Sequence, residues 1–352
     1  MANESNTSTY TIFQSGDTVT SIDRVFTSAW SGNENDLATL GFFSSSTQYD
    51  TTSATSSGAF YMEIYNKDPE ANTDEEAQFS IAYGNKVGSG SLDFSSGTGA
   101  SGFSAAKSIY TQYRNLVFGG DETQNFNFNG YTPDDIYVIN INRARYKNAI
   151  RTGNLSLNIG ALELTDDSVT TSGSANAIRA GVGREFNLVS GSNGVRQGTS
   201  NTYVTDSGSY GYIYPDAGFI ILNADALDAT AADNGIALST NVTANTAGDN
   251  PIKLQDALIL GDSFILDAQE DIASKFYFCR VKNQEFNYTT NDSFTLNDGT
   301  LSFDSMIDNP QTYITTVGLY NDNQDLLAVA KLSQPLPKDF TKESLIKVKL
   351  DY

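Results

Sequence analysis

The residues from Thr312 to Leu336 restrict the possible folds more than any other stretch. Tyr313 to Tyr320 is rich in β-branched and aromatic side chains, and Leu326 to Leu332 is a second apolar run. Between them lies Asn321-Asp-Asn-Gln-Asp325, whose Asx side chains favour turns and tolerate left-handed backbone. The pattern predicts a hairpin whose second strand stops at Ser333-Gln-Pro335, because proline cannot donate to a ladder. A final strand begins at Leu345 and places Lys347 and Lys349 on one face and Ile346, Val348 and Leu350 on the other. The apolar face is expected to close a C-terminal core, with the lysines at a surface or subunit contact.

Earlier segments carry the same alternation. Ala59 to Asn66, Ala77 to Tyr83 and a hydrophobic run from Tyr210 to Asn223 read as strands. Asp135 to Ile141 is apolar enough for burial on both faces. Leu155, Leu157 and Ile159 alternate, and Leu162 and Leu164 resume the pattern after a slip at Gly160, as a β-bulge would produce. Phe276 to Tyr288 reads as a long strand, and Phe294 to Phe303 as a polar hairpin around Asn297-Asp-Gly299. Ser21 to Trp30 fits a strand or a short helix. One helix is clear, over about 104–118. Ala105, Ala106, Ile109, Tyr110, Tyr113, Leu116 and Val117 recur at helical spacing, Ser104 or Ser101 caps the start, and Gly119-Gly120 ends it. Residues 224–232 suit a short helix, and 251–271 one helix and one strand.

Nineteen tyrosines, 20 phenylalanines and many small polar residues suit a turn-rich β protein. The expected class is mainly β: antiparallel sheets in β-sandwich domains, with one or a few short helices. The expected division is a flexible arm over 1–10, a β-rich domain over 11–165, a Ser/Gly/Asn-rich insertion or middle domain over 166–250, and a β domain over 251–352.

The chain has 42 acidic and 21 basic side chains, a formal charge of −21. Such a surface repels nucleic-acid backbones and anionic membranes, so neither is expected as a partner. The start is polar, without the basic and apolar regions of a secretory signal, and no run of 18 apolar residues exists. There is no histidine, which excludes Ser-His-Asp and Cys-His catalysis and histidine-ligated zinc. The single cysteine, Cys279, lies in an apolar run and reads as a small hydrophobe, consistent with a reducing compartment. Phosphate-binding and dinucleotide fingerprints are absent. A carboxylate pair could hydrolyse a glycoside, but no spacing among 42 acids singles one out. Asp322, Asn323 and Asp325 offer oxygen ligands without EF-hand spacing, so the turn reading is preferred. No cofactor, metal or catalytic residue is expected. Arg143, Arg145, Lys147 and Arg151 form a basic cluster in this acidic chain. With Lys347 and Lys349 they are the candidate subunit-interface residues, against the plainer reading of a solvated strand end.

Several blocks together resemble a known group. They include Phe60-Tyr-Met-Glu-Ile-Tyr-Asn-Lys-Asp-Pro69, Gln78-Phe-Ser-Ile-Ala-Tyr-Gly-Asn-Lys-Val-Gly-Ser-Gly-Ser91, Lys107-Ser-Ile-Tyr-Thr-Gln-Tyr-Arg-Asn-Leu116 and Asp135-Ile-Tyr-Val-Ile-Asn-Ile-Asn-Arg-Ala-Arg-Tyr-Lys147. Tyr212-Ile-Tyr-Pro-Asp-Ala-Gly218, Glu285-Phe-Asn-Tyr288 and the closing hairpin belong with them. The chain resembles virion structural proteins of T4-like contractile-tailed phages, especially those of marine cyanobacteria, from about residue 10 to 352. The resemblance implies a non-enzymatic virion subunit, assembled in the bacterial cytoplasm among other phage structural proteins. Within the virion, a tail or baseplate-wedge position is favoured, with copies arranged in a ring. A neck, collar or capsid-surface position is the nearest alternative. A receptor-binding or carbohydrate-cleaving tail protein is the alternative of another class.

Overall fold

The structure is a computed structural model that describes residues 10–45, 61–90, 104–198, 203–243, 249–287, 292–296 and 300–351. The expected arm over 1–10 lies outside these residues except for Tyr10. In chain order the strands begin with β1 (Thr18–Ser28), β2 (Tyr61–Tyr65) and β3 (Ala77–Asn85). Helix α1 (Ala105–Phe118) follows, then β4 (Asp135–Ile141), β5 (Ala149–Ile150), β6 (Ser156–Ile159) and β7 (Leu162–Asp166). Next come β8 (Ala177–Arg179), β9 (Gly183–Ser192), β10 (Val195–Arg196), β11 (Gly211–Tyr214) and β12 (Phe219–Asn223). Helices α2 (Ala224–Asp228) and α3 (Asp249–Gly261) precede β13 (Phe264–Ile265) and β14 (Asp267–Val281). The chain closes with α4 (Ser305–Asp308), β15 (Thr312–Tyr320), β16 (Leu326–Lys338) and β17 (Ser344–Asp351). The mainly β, antiparallel class with few short helices is observed.

The chain forms two compact units, Arg24–Glu270 and Met1–Asp23 with Asp271–Tyr352. This division differs from the expected one. The first unit runs through the Ser/Gly/Asn-rich stretch without a break, and β9, β11 and β12 lie in the middle of its main sheet.

That sheet has the strand order β13-β6-β7-β9-β11-β12-β4-β3-β2, with every neighbouring pair antiparallel. It curls into a half-barrel. Residues 36–43 reach both of its edges, through bridges from Asp36 to Ile265 and from Phe43 to Tyr65. Helix α3 packs on β6 near one edge and on β3 and β2 at the other. Strand alternation then separates two cores. Tyr137, Ile139, Ile213, Ile220 and Leu222 face the inner core with Leu254 and Leu258 of α3. Ile136, Val138, Tyr212, Phe219 and Ile221 face an outer core with Tyr110 and Val117 of α1. β4 is therefore buried on both faces, as its composition predicts, and each of its aliphatic side chains contributes roughly 1.5–3 kcal/mol of transfer free energy.

Local signals explain the helices. Ser104 Oγ accepts a bond from Lys107 N at 3.1 Å, and Gly119 ends α1 in the left-handed region at φ 68°. Asn223 caps α2 in the same manner. The slip at Gly160 is not a bulge. Ile159 pairs with Leu162, so Gly160 and Ala161 form a two-residue hairpin turn, with Gly160 at φ 59°.

In the second unit, β14 pairs with β17 from Ser274–Asp351 to Val281–Ser344, with β1 on its other side. β14 starts earlier and ends earlier than its apolar residues suggest, and Lys282–Asn287 forms a turn stitched by Asn287 Nδ2 donating to Asn283 O at 2.6 Å. The hairpin β15–β16 forms as expected, but β16 continues past Pro335 to Lys338. The register jumps from Thr316–Lys331 to Ile314–Leu336, so Pro335 sits in a bulge where no ladder donor is required. Phe294 and Phe303 meet with ring centroids 5.2 Å apart beside a Thr295–Leu301 bridge, and the predicted turn at 297–299 lies outside the described residues.

Candidate interaction surfaces

Arg143, Arg145 and Lys147 of the basic cluster occupy the turn after β4, where Asn142 Oδ1 accepts from Ala144 N at 3.0 Å, and Arg151 follows β5. Each cation has a partner inside the chain. Arg143 donates to Tyr146 O at 2.8 Å and lies 4.5 Å over its ring. Arg145 donates to Ser31 Oγ at 2.6 Å and to Glu76 at 3.1 Å. The Ser31 hydrogen bond and the Arg145 charge hold the Glu76 carboxyl below the ordinary range. Lys147 pairs with Glu270, and Arg151 with Asp267 at 2.8 Å while stacking 4.4 Å over Phe26. One buried nitrogen, Arg145 Nε, makes no hydrogen bond. Arg145 and Lys147 border a hollow of about 430 Å³ with Trp30, Ser31 and Asn33. Three of the four charges that marked this cluster in the sequence, those of Arg145, Lys147 and Arg151, are thus balanced by acids far away along the chain.

Lys347 and Lys349 lie elsewhere, on the exposed face of β17, while Val348 between them is buried. Lys347 sits 4.0 Å over the Phe276 ring. Lys349 is 5.9 Å from the same ring and pairs with Asp351 at 3.1 Å and Asp23 at 3.8 Å. Sequence reading found these lysines but not the aromatic bed beneath them, which depends on the β14–β17 register.

No pattern in the sequence singles out Lys338, which is fully buried. Its ammonium donates to Asn283 O, Asn287 Oδ1 and Asp339 O, each at 2.9 Å. Burial pulls its pKa below that of an ordinary lysine. The neighbouring Asp339 is driven down to about 2 by hydrogen bonds from Thr341 and Lys342.

Buried carboxylates in the sheet unit are tied up in the same way. Glu185 accepts from Arg179 at 2.9 and 3.1 Å, Asn176 at 3.0 Å and Tyr214 at 2.8 Å. Asp166 accepts from the backbone of Gly153 and Ser168. Asp135 accepts from Tyr83 at 2.9 Å and from Asn85, and burial raises its pKa. A second hollow, of about 500 Å³, lies against α3, with Asp256 as its one carboxylate. The turn at 321–325 is organised by Asn321, whose Oδ1 accepts from Asn323 N at 3.0 Å and Asp325 N at 2.8 Å. No group of three or more metal-binding side chains occurs among the described residues. Cys279 is half-buried opposite Ile346, and burial pushes its thiol pKa up.

The hairpin β15–β16 is a two-stranded sheet among the described residues, and its apolar side chains are poorly covered. Tyr313 is 60% exposed, Tyr320 59%, Leu327 68% and Val329 60%. No known protein family, curated protein or solved structure matches this chain.

Proposed function

We propose that this chain is a non-enzymatic structural subunit of a tailed-phage virion, placed in the tail and most specifically in the baseplate wedge. The observation that carries the assembly part of this reading is the exposed apolar hairpin. An isolated two-stranded sheet is marginal in water, and a large apolar surface left open on a folded chain marks an interaction site. The tied carboxylates and paired cations are consistent with a scaffold, since each holds neighbouring backbone in place. The virion and baseplate part rests on the sequence resemblance alone. Mapping the subunit in intact particles by cryo-electron microscopy tests both parts. Density for the half-barrel around α3 is expected in the tail. A position at a fibre tip would overturn the wedge assignment, and absence from purified particles would overturn the virion reading. Turnover of a host polysaccharide by the purified chain would replace it with an enzyme.

A further inference from the structure

We propose that β15 pairs edge to edge with β15 of a second copy of this chain, antiparallel about a two-fold axis, so that the two β15–β16 hairpins join into one four-stranded sheet. The proposal deepens the assembly reading and rests on it. An open sheet edge invites pairing with another chain, and folded proteins guard such edges with charge or proline. Among the described edge strands longer than two residues, β1 carries Asp23 and Arg24, β2 Glu63, β8 Arg179, and β17 Lys347, Lys349 and Asp351. β16, on the other side of the hairpin, carries Lys331, Pro335 and Pro337. β15, Thr312-Tyr-Ile-Thr-Thr-Val-Gly-Leu-Tyr320, carries neither guard. Among the described residues it pairs with β16 alone, and only Leu319 of the strand is buried.

The composition of β15 selects a second copy as the occupant. In a chain of charge −21 most surfaces of two copies repel, whereas two β15 strands meet without apposing any charge. An antiparallel pair centred on Thr316 engages the full length of both strands. Tyr313 then lies across from Leu319, Ile314 across from Gly318, and Thr316 across from its own copy. Aromatic and aliphatic side chains set across a strand pair stabilise a sheet. Full overlap exchanges about nine backbone hydrogen bonds, as many as a specific interface carries. Tyr313 and Tyr320 are both exposed and add apolar cover, so the contact buries on the order of 1,000 Å², where specific interfaces begin. Two strands alone are marginal in water, and joining the hairpins supplies the third and fourth. Because one patch meets its own copy, the contact closes as a two-fold dimer.

Sedimentation velocity of the full chain tests this at low salt and at about 0.5 M NaCl. A concentration-dependent equilibrium between monomer and dimer is expected. Salt should leave it unchanged or strengthen it, because screening reduces only the repulsion between copies. Thr316→Glu brings two carboxylates together on the axis, while Lys331, directly opposite Thr316 in the hairpin, balances the new charge within each copy. It should weaken the dimer by about tenfold or more. Directly opposed residues lie about 4.5–5.5 Å apart, within reach of a disulfide. Thr316→Cys should therefore give a cross-linked dimer under mild oxidation, whereas Leu327→Cys, exposed on β16, should not. This second measurement decides the matter if Thr316→Glu perturbs the hairpin. A dimer that salt dissociates, or that Thr316→Cys does not cross-link, overturns the pairing, as does a folded Thr316→Glu variant that dimerises like the wild type. A chain that stays monomeric at about 0.1 mM also overturns it. If the β15 amides of that monomer gain hydrogen-exchange protection only when another virion protein is added, the edge takes a different strand. Presence of a monomeric chain in particles leaves the assembly reading intact, and absence from particles removes that reading whatever the association.

Discussion

Lys338 buries an ammonium group whose three acceptors include no carboxylate. Burial lowers the folded-state pKa, so between that value and the unfolded value the unfolded chain binds more protons. Stability contributed at this site therefore rises with pH through that interval, and the full penalty applies below it. Lys338→Met keeps the length but leaves buried acceptors unpaired, at a cost of about 1–3 kcal/mol near neutral pH. Urea denaturation at neutral and alkaline pH should show the loss, together with a flatter alkaline profile in the variant. Gly218 makes a different demand. It has φ 78°, and a Cβ there would lie 2.2 Å from the Tyr146 ring, whose hydroxyl donates to Ala217 O at 2.8 Å. Gly218→Ala combines left-handed strain with overpacking, so a loss of roughly 1–3 kcal/mol is expected from thermal or urea unfolding. A neutral result would mean that the β11–β12 turn yields more than its packing implies.

At the scale of elements, helix α3 is the buried filling of the half-barrel. Leu254 and Leu258 are fully buried, whereas Leu260 on the same helix is 77% exposed. Leu258→Ala should cost about 2–5 kcal/mol, and Leu260→Ala only a few tenths. Equal effects in denaturation would contradict the placement of α3. β17 has a comparable role in the other unit, where Val348 and its half-buried neighbours Ile346 and Leu350 line its covered face. Deleting residues 345–352 should unfold residues 271–344 yet leave a protease-resistant product near 24–270. Digestion that destroys the whole chain at one rate would show that the units do not fold separately. These elements also mark what was legible beforehand. α1 announced itself through its caps and β4 through unbroken hydrophobicity. β9 did not, because Glu185, Asn187 and Ser190 interrupt its apolar residues, and their satisfying bonds come from Arg179, Asp167 and Gln197 on neighbouring strands and turns that only the folded register brings alongside. Gly160 gave a real phase slip that a bulge and a hairpin turn both explain, and only the strand register separates them. In the sequence alone Pro335 reads as a stop, because a bulge opposite Thr315 leaves no local trace. The basic cluster was visible as charge, but Glu76, Asp267 and Glu270 lie 69 to 123 positions from their partners, so its internal pairing was not.

For the molecule as a whole, the charge of −21 is the dominant electrostatic fact. Like charges held on a compact surface repel more than the same charges on an expanded chain, so the folded state is destabilised at low salt. Mild acid should relieve this repulsion as surface carboxylates begin to protonate. Asp135 and Asp167 act in the same direction. Burial raises their folded-state pKa values, so stability withheld at neutral pH returns as pH falls through those values. Glu76, Asp17 and Asp351 act oppositely. Hydrogen bonds from Ser31, the Gln14 backbone and Ser274, respectively, and then a neighbouring cation, depress their pKa values. Their contribution is present above the unfolded values and is lost as pH falls through the folded ones. The balance puts maximum stability on the acid side of neutrality, at about pH 5, with a decline below about pH 4. Added salt should move the curve up at pH 7 and much less at pH 5, because screening acts on repulsion that protonation has already reduced. Urea midpoints measured from pH 3 to 8 at low and moderate NaCl decide the matter. A maximum at or above pH 7, or a salt effect equal at both pH values, would show that local pairing and not surface repulsion sets the stability of this fold.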